Sequence, residues 1–405
     1  MTADASDRTP VPAERIADID IYAIPGGDSD LHRAWQKLRE QYPQRLLWTP
    51  HNGGHWLAMD GEDIARIYAD HEHYSSRITI VPKKWGELFP LRPTTLDPPE
   101  HRPYRKLMTA ALSRARVQAS EAAIKAIIID TIERVRLQGR CEFINDVALL
   151  IPGRIFLHMA RMPDELVEDI PRYAEPPNAS DVPVMERFAR FLRPWVVERQ
   201  ARPGDDLLSQ LVSGQLNGKD ISEDEALDVA TAMLTGGIDT VISLLGFIIG
   251  FLAEHPHHQQ WLIENPDRIP SAVPELIRRF PIMTKARELK SDQVLDGIQM
   301  REGDMIVLPP LQGLDERIYT DPMAVNFKRQ HSPDLSFGNG VHLCPGSYLA
   351  SIELEIFLRE WLARVPGFQP PEQTRPRMSS GILGAMLELH LHWGPQLSQE
   401  EQNSP

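Results

Sequence analysis

The most informative segment of the chain is SFGNGVHLCPGSYLA, residues 336–350, in which Cys344 stands directly before a helical pattern. The positive end of that helix and the amides of the preceding turn would stabilise a thiolate at Cys344. Gly338, Gly340 and Gly346 would let the backbone approach a flat ligand closely. Taken without its neighbours, a lone thiol is more commonly a buried structural residue. The composition, however, gives only about 0.0002 chance occurrences of this Phe-Gly-Cys-Gly spacing, so we interpret Cys344 as a ligand.

The overall composition excludes several classes of protein. Of the 405 residues, 57 are Asp or Glu and 43 are Lys or Arg, which gives a formal net charge of −14. This balance argues against nucleic-acid binding, because phosphate neutralisation needs an excess of Lys and Arg. The two cysteines, Cys141 and Cys344, are too few for a disulfide framework or a four-cysteine zinc site. Cys141 has no motif around it and is predicted to be a structural thiol.

The hydropathy pattern predicts a cytoplasmic protein that does not enter a membrane. Residues 1–27 are polar and acidic, and they lack the basic start and apolar run of a secretory signal. The most apolar stretch, residues 241–252, is shorter than the roughly 18 residues needed to cross a bilayer. We therefore expect this stretch to be a buried helix.

The periodicity predicts a mainly α fold with small β-sheets, in one domain over residues 1–405 with loose tails at 1–25 and 395–405. Ser222 and Glu225 have the spacing of a capping box, which predicts the start of an unusually long helix. The elements expected along the chain are a hairpin turning at 52–54, a helix capped near Asp60, long helices from about 105 to 199, the long helix that ends before Pro256, a second small sheet beyond 281, a helix over 349–364 and a final strand over 384–393.

Residues 235–240, TGGIDT, lie inside that long helix. Two glycines in a helix interior cost roughly 1 kcal/mol each relative to Ala, so we expect a local opening of the helix here. Such an opening would leave room for a small ligand such as dioxygen and would expose Asp239 and Thr240. The alternative is a close, glycine-mediated helix contact with Asp239 in a surface salt bridge.

Two further pairs are placed on single helical faces by their spacing. Glu275 and Arg278 are three residues apart, which is usually a solvated surface pair, and Pro274 predicts that their helix begins at that point. His101 and Arg105 are four residues apart, and two hydrogen-bonding or cationic groups on one face suit a pair of carboxylates. A solvated surface histidine is the alternative for His101.

At Phe337, Gly338, Gly340, Cys344 and Gly346 the sequence resembles the haem-binding loop of the cytochrome P450 family of haem-thiolate monooxygenases. The resemblance implies the P450 fold, a triangular helical prism that holds haem b between the long central helix and the helix that follows the cysteine. Cys344 would be the axial iron ligand, whose electron donation favours cleavage of the O–O bond.

The other motifs take their roles from the same resemblance. Asp239 and Thr240 match the acid–threonine pair that delivers protons during O2 activation. Glu275, Arg278 and Arg329 match a structural set that holds the segment carrying the thiolate loop. The haem is expected to contact Phe337, Cys344 and Gly346 of the loop and, through its propionates, His101, Arg105, Arg287 and His342.

The resemblance runs from residue 56 to residue 393 and is strongest to the subfamily of bacterial camphor-hydroxylating monooxygenases, through LDPPEHRPYR, GGIDTV, ELIRRF, GLDER and FGNGVHLCPG. Phe89 stands where that subfamily uses a tyrosine to hydrogen-bond camphor, and Lys285 replaces an aspartate near a propionate. A pocket without that donor discriminates poorly for camphor, so we expect a larger or more aromatic substrate, such as a terpenoid or norisoprenoid. Matched pocket positions predict these substrate-binding residues: Ile80, Phe89, Thr235, Ile238, Met283, Ile382 and Leu383.

The implied function is that of a soluble, monomeric monooxygenase that uses O2 and two electrons to hydroxylate a small hydrophobic substrate. No flavin or dinucleotide fingerprint is present, so the electrons would come from a [2Fe-2S] ferredoxin and its NAD(P)H-dependent reductase. Arg102, Arg105 and Lys328 are the candidate docking patch, with ordinary solvated cations as the alternative for Arg102 and Lys328. A peroxide-driven peroxygenase and a haem protein that only binds or senses a ligand are the alternative functions, and the acid–threonine pair argues against both.

Overall fold

The computed structural model describes residues 11–88, 90–171, 184–330 and 335–394. The predicted tail at 395–405 and the predicted substrate residue Phe89 lie outside the described residues. The predicted tail at 1–25 is wrong in its described part, because the chain after a short 3-10 turn at Ala13–Arg15 contributes to the core. The residues buried there are Ala17, Ile19, Ile21 and Ile24. Apolar side chains of this kind are more stable inside the protein than in a solvated tail.

Helices form most of the described chain, as the periodicity predicts. In chain order they are α1 (Leu31–Gln41), α2 (Gly61–Ala69), α3 (Lys83–Leu88), α4 (His101–Ala111), α5 (Arg114–Arg136), α6 (Leu150–Met159), α7 (Val184–Ala201), α8 (Leu207–Val212), α9 (Glu223–Glu254), α10 (Pro256–Glu264), α11 (Ile269–Arg279) and α12 (Ser347–Arg364). Asp60 caps α2 as predicted, since its side chain accepts hydrogen bonds from the backbone N–H groups of Glu62 and Asp63.

The long helix α9 runs through the core. Its first turn carries the predicted capping box, in which the Ser222 and Glu225 side chains each bind the backbone N–H of the other residue. By length and composition α9 could cross a membrane, yet 72% of its most apolar window is buried inside the protein. This burial agrees with the core helix that the sequence predicts for residues 241–252.

The strands are short, and most of them belong to hairpins. They are β1 (Leu46–Thr49), β2 (His55–Ala58), β3 (Tyr74–Ser75), β4 (Arg140–Glu142), β5 (Gln215–Leu216), β6 (Lys219–Asp220), β7 (Lys285–Leu289), β8 (Gln293–Leu295), β9 (Ile298–Met300), β10 (Met305–Leu308), β11 (Arg377–Ser379), β12 (Ala385–Glu388) and β13 (His390–His392). β1 and β2 form the predicted hairpin, in which Trp48 is paired with Trp56. β8 and β9 form a second hairpin that turns at Asp296 and Gly297.

The prediction of a separate sheet beyond residue 281 is wrong for β7 and β10. These two strands pair antiparallel with each other, and β10 lies parallel to β2, so that one sheet has the order β1-β2-β10-β7-β3. Every residue of β2 and of β10 is buried. A strand that is buried on both faces lacks an alternating pattern, and its sequence does not indicate which strand will pair with it.

Two other boundaries differ from the sequence predictions. The expected final strand over residues 384–393 is divided at Leu389, whose carbonyl accepts from the N–H of Phe143, and β12 pairs with β11 whereas β13 pairs with β4. Helix α11 begins at Ile269 and not at Pro274. Pro270 already occupies its first turn, where a missing N–H costs nothing, and Pro274 is tolerated in the interior of a helix whose apolar face is buried.

Candidate active site

A cavity of about 310 Å³ lies between α9, β7, α12 and the loop that carries Cys344. It collects residues that are far apart in the sequence. The predicted site residues that border it are His101, Ile238, Thr240, Met283, Arg287, Phe337, His342, Cys344 and Gly346. The fold therefore brings most of the predicted catalytic and haem-binding residues to one place.

The cysteine loop is fixed by its own backbone and by α2. The N–H of Cys344 donates to the carbonyl of Phe337 at 2.9 Å, which closes the loop. Gly338 and Gly340 have φ angles of 78° and 66°, a conformation that glycine adopts readily. A Cβ on Gly340 would lie 2.9 Å from the Cα of Ala69, so glycine is also required by the close approach of the two backbones.

The surroundings of Cys344 act on its pKa in opposite directions. Burial raises the pKa of the Cys344 thiol and outweighs the backbone N–H of Gly346, the Arg105 guanidinium and the N–H of Ser347, which lower it. The Arg105 side chain also donates to the carbonyl of Leu343, next to the cysteine. Arg105 does not border the cavity, but this hydrogen bond stabilises the cysteine loop. The N–H groups that act on the sulfur thus come from the start of α12, which is the helix end that the sequence analysis places beside Cys344.

The two glycines of α9 face the cavity. A Cβ at Gly236 or Gly237 would meet no atom within 4 Å, so the space it would fill is the cavity itself. The predicted local opening is wrong, because α9 is helical without interruption through both glycines. Room for a ligand comes instead from the missing side chains. The alternative of a close helix contact at the glycines is also excluded.

Thr240 and Asp239 differ in their environment. Thr240 borders the cavity, and its hydroxyl donates to the carbonyl of Gly236 at 2.8 Å. Asp239 is 8% exposed and does not border the cavity. This burial does not fit a surface salt bridge, which was the alternative for Asp239.

A cluster of nitrogen-bearing side chains lies at the end of the cavity near β7. The rings of His101 and His342 are 4.4 Å apart, and Arg287 stacks 5.2 Å over the ring of Tyr68. Burial lowers the pKa of His101 to about 4 and that of His342 to about 3, with nearby arginines adding to both shifts. Both rings are therefore neutral at neutral pH. Nε2 of His342 is buried and has no hydrogen-bond partner within the described chain.

The structure brings Glu275, Arg278 and Arg329 together, as the resemblance implies. Arg278 binds both carboxylate oxygens of Glu275, at 2.7 and 2.9 Å, and Nε of Arg329 donates to Oε1 at 3.1 Å. Glu275 and Arg278 are fully buried, which excludes a solvated surface pair. Burial alone would raise the pKa of Glu275, but hydrogen bonds from Arg278 and from the N–H of Asn326 outweigh it and lower the pKa.

Four of the predicted substrate residues do not border the cavity. Thr235 is buried, and its hydroxyl donates to the carbonyl of Thr231. Ile382 contributes its backbone carbonyl to the N–H of Thr284, and Leu383 forms a backbone bridge with Met283. Ile80 is also absent from the cavity wall. Side-chain direction in such irregular segments depends on backbone contacts that spacing does not reveal.

Two charged residues on the cavity wall are not among the predicted site residues, although the resemblance places one of them, Lys285, near a propionate. Glu353 of α12 and Lys285 at the start of β7 both border the cavity. The sequence does hold a signal for Glu353, because it lies four residues before Phe357, at the spacing of one helical face. Lys285 is two positions from Arg287, so the alternation of a strand places both on one face.

Comparison with known proteins agrees with this geometry. Residues 184–387, half of the chain, match the family model described as cytochrome P450. The chain belongs to the cytochrome P450 family. It is 29% identical to Probable cytochrome P450 127A1 of Sinorhizobium fredii over 95% of this chain and 96% of that protein.

Two solved structures of the family share the fold over nearly their full length. The crystal structure of CYP101J2 has a TM-score of 0.87 and 34% identity, and covers 95% of this chain and 99% of that one. The crystal structure of CYP101C1 has a TM-score of 0.90 and 33% identity, and covers 96% and 100%. Both belong to the camphor-type subfamily. The predicted P450 fold is thereby confirmed, and the family implies a haem-thiolate cofactor, a redox partner, O2 and an organic substrate.

Proposed function

We propose that the protein is a haem b-dependent monooxygenase that uses O2 and two electrons from a ferredoxin to hydroxylate a small hydrophobic substrate. The observation that carries this proposal is that Cys344 and the open face of α9 at Gly236, Gly237 and Thr240 border the same cavity. A thiolate ligand on one wall and a hydroxyl beside empty space on another are the two elements that O2 activation in this family requires.

The residues around the cavity fit a haem with two propionates. Any side chain at Gly236 or Gly237 would fill the cavity, so these positions leave space for a cofactor and a small ligand. The buried Nε2 of His342 has no hydrogen-bond partner among the described residues, and a propionate oxygen would give it one. Arg287 and His101 lie beside it as further donors, Arg105 holds the loop, and Phe337, Gly346 and the iron-ligating Cys344 complete the proposed binding set.

The chain's own chemical task is to deliver protons. Haem, when bound through a thiolate, supplies the activation of O2 and the oxidation of the substrate. The Thr240 hydroxyl stands at the cavity and is already oriented by the Gly236 carbonyl. Asp239 precedes it in the chain and is buried, so we propose that it is the acid that supplies protons to Thr240.

The cavity wall favours an apolar substrate. The residues that border it away from the cysteine loop include Phe156, Met159, Ile238, Val241 and Met283. Such a surface binds hydrocarbon through burial of apolar area. We propose a terpenoid or norisoprenoid as the substrate class, in preference to camphor, because Phe89 provides no donor for a ketone.

The electron donor is proposed to be a [2Fe-2S] ferredoxin with its NAD(P)H-dependent reductase. Leu343 is 45% exposed beside Cys344, and Arg105 donates to its carbonyl, so the cysteine loop offers an apolar contact next to a cation. Arg102 and Lys328 are exposed and would extend the docking patch. We further propose that residues 1–405 act as one domain, in a monomer located in the cytoplasm.

Thiolate ligation is tested by absorption spectroscopy of the reduced, CO-bound protein. The wild-type protein should show the red-shifted Soret band of thiolate-ligated haem, and Cys344→Ala should abolish it. Cys141→Ala is the matched control and should retain the band, because Cys141 is buried in the core away from the cavity. A wild-type spectrum without that band would refute the proposal.

Turnover assays separate the proposed monooxygenase from its alternatives. Product should form with O2, reductase and ferredoxin, and should form much more slowly with peroxide alone. Peroxide-driven turnover at an equal or greater rate would favour the peroxygenase. Product from neither system, with thiolate ligation intact, would favour a protein that only binds or senses a ligand.

A further inference from the structure

Lys285 occupies an unusual place for a lysine. It begins β7, where its backbone is paired with Leu308 of the adjacent strand. Met283, Lys285 and Arg287 alternate along this segment and all border the cavity, whereas the intervening Ala286 is fixed by donating its N–H to the carbonyl of Thr79. The ammonium of Lys285 therefore lies on the cavity side of the sheet, on the same face as Arg287.

No carboxylate of the described chain lies within salt-bridge distance of Lys285, although lysines elsewhere, such as Lys83 and Lys125, each pair with a glutamate. Desolvation by the surrounding protein lowers the pKa of Lys285 to about 8, and the neighbouring positive charge of Arg287 contributes in the same direction, whereas the charge of a Cys344 thiolate opposes both. Lys285 is half-buried, and this desolvation indicates that its exposed part faces the cavity rather than bulk water. A buried ammonium beside a guanidinium is costly unless an anion compensates it.

We propose that Lys285 binds a carboxylate group inside the cavity. This inference rests on the proposed function, because it concerns the occupants of the same cavity. The carboxylate has two sources of identical chemistry: a propionate of the haem or a carboxylate of the substrate. A propionate is the source best supported by the structure, since Arg287 on the same strand face and His342, whose Nε2 has no partner among the residues that the structure describes, both border the cavity with Lys285.

The first arm of the experiment measures haem retention by transfer of haem from the ferric holoenzyme to apomyoglobin. If Lys285 binds a propionate, Lys285→Met should accelerate haem transfer by roughly tenfold or more, the effect of losing one charge-assisted hydrogen bond. Lys285→Arg should stay within about twofold of wild type because it keeps the charge. Lys37→Met removes the same charge from the exposed face of α1 and should also leave the rate unchanged.

The second arm measures ligand binding through the Soret absorbance of the ferric protein. The probes are cyclohexanecarboxylate and cyclohexylmethanol, which share a ring and differ in charge. If Lys285 binds a substrate carboxylate, Lys285→Met should weaken the carboxylate by roughly tenfold or more, leave the alcohol unchanged and leave haem transfer unchanged. Lys285→Arg should restore binding of the carboxylate.

The inference is overturned if Lys285→Met matches wild type in both arms. It is also overturned if Lys285→Arg is as defective as Lys285→Met, because the position would then be sensitive to shape and not to charge. Should Lys285→Met retain no haem, Lys285→Gln takes its place, and the comparison with Lys285→Arg decides in the same way. Failure of the proposed function is distinguishable, because it would remove the thiolate Soret band from the wild-type protein.

Discussion

The Thr240 hydroxyl is the polar side-chain group of α9 at the cavity, and its removal gives a specific prediction. Thr240→Ala should retain haem and substrate binding but should uncouple electron use from product formation, because protons would no longer be delivered in order. The measurement is the ratio of product to NAD(P)H consumed, with peroxide determined in parallel. Loss of one general-acid contact predicts a fall in coupling of roughly tenfold or more.

The control is Ser243→Ala, on the same helix. Ser243 is buried, its hydroxyl donates to the carbonyl of Asp239 at 2.8 Å, and it does not border the cavity. Its removal deletes the same type of bond without changing the cavity, so coupling should remain near wild type. Unchanged coupling in Thr240→Ala would contradict the proposed proton pathway.

Glu353 leads to a prediction about pH. Its Oε2 is buried without a hydrogen-bond partner within the described chain, and burial raises its pKa to about 8. The folded state therefore holds this proton more tightly than the unfolded state does. The associated stability is fully present below the pKa of an unfolded glutamate, near 4.5, and is lost as the pH rises through about 8.

Glu353→Gln removes this titration. Relative to wild type, the free energy of unfolding of Glu353→Gln should rise between about pH 4.5 and 8 by up to about 5 kcal/mol, from 1.4 kcal/mol per pKa unit. Urea denaturation of the holoenzyme at several pH values measures the difference. Glu264→Gln, an exposed position on α10, should give a profile parallel to wild type. A parallel profile for Glu353→Gln as well would show that Glu353 is ionised at neutral pH.

At the scale of elements, the buried cluster of Glu275, Arg278 and Arg329 joins α11 to the chain beyond β10. Besides Glu275, Arg278 donates to the carbonyls of Gly313, Pro322 and Ala324, at 2.6, 2.8 and 3.0 Å. Arg278→Met should destabilise the fold by about 3–5 kcal/mol, because it leaves a buried carboxylate with only Arg329 as a cation. Arg278→Lys should recover only part of that loss, since an ammonium lacks the planar fork that binds both oxygens.

Chemical denaturation followed by tryptophan fluorescence measures these losses. Arg190→Met, which breaks an exposed i,i+4 pair with Glu186, is the matched control and should cost less than about 1 kcal/mol. Equal effects of Arg278→Met and Arg190→Met would mean that the buried cluster does not hold the loop segment in place. If Arg278→Met lost haem without a loss of stability, the role of the cluster would be in haem binding and not in stabilising the fold.

Local signals account for the elements that were predicted well. The capping box of α9, the cap at Asp60 and the hairpin turn at 52–54 depend on residues within a few positions of each other. Long-range pairing is different, because β2 and β10 are about 250 residues apart and both are buried throughout. Nothing in their pattern selects one partner over another, and the single five-stranded sheet was therefore missed.

The contrast between local and long-range signals also applies to the candidate active site. Glu275 and Arg278 are three residues apart and were placed on one face by spacing, whereas the third member, Arg329, needed the resemblance to a family. Gly236 and Gly237 were recognised as costly in a helix, but the way they make room was mispredicted as an opening. A continuous helix leaves space wherever glycine lacks a side chain. The composition alone does not distinguish such space from an opening of the helix.

At the scale of the whole molecule, the net charge of −14 opposes association with an acidic ferredoxin. Screening limits that opposition, because the Debye length at physiological ionic strength is about 8 Å, far less than the width of a 405-residue protein. Charges at the docking face should therefore govern association. Arg102 is exposed next to His101, a proposed haem-binding residue of α4, and Arg105 donates a hydrogen bond to the cysteine loop.

Arg102→Glu should slow the first electron transfer from ferredoxin by roughly tenfold at low salt, because it reverses one charge at the contact while changing the net charge only from −14 to −16. Lys37→Glu makes the same change of net charge on α1 and should leave the rate near wild type, since α1 carries none of the proposed contacts.

Stopped-flow measurements of the electron-transfer rate over increasing salt show whether the interaction with ferredoxin is attractive or repulsive. For wild type the rate should fall with salt if the patch attracts ferredoxin, whereas a rate that rises with salt would show that the acidic surface as a whole dominates. Equal slowing by the two variants would place the docking face elsewhere on the molecule.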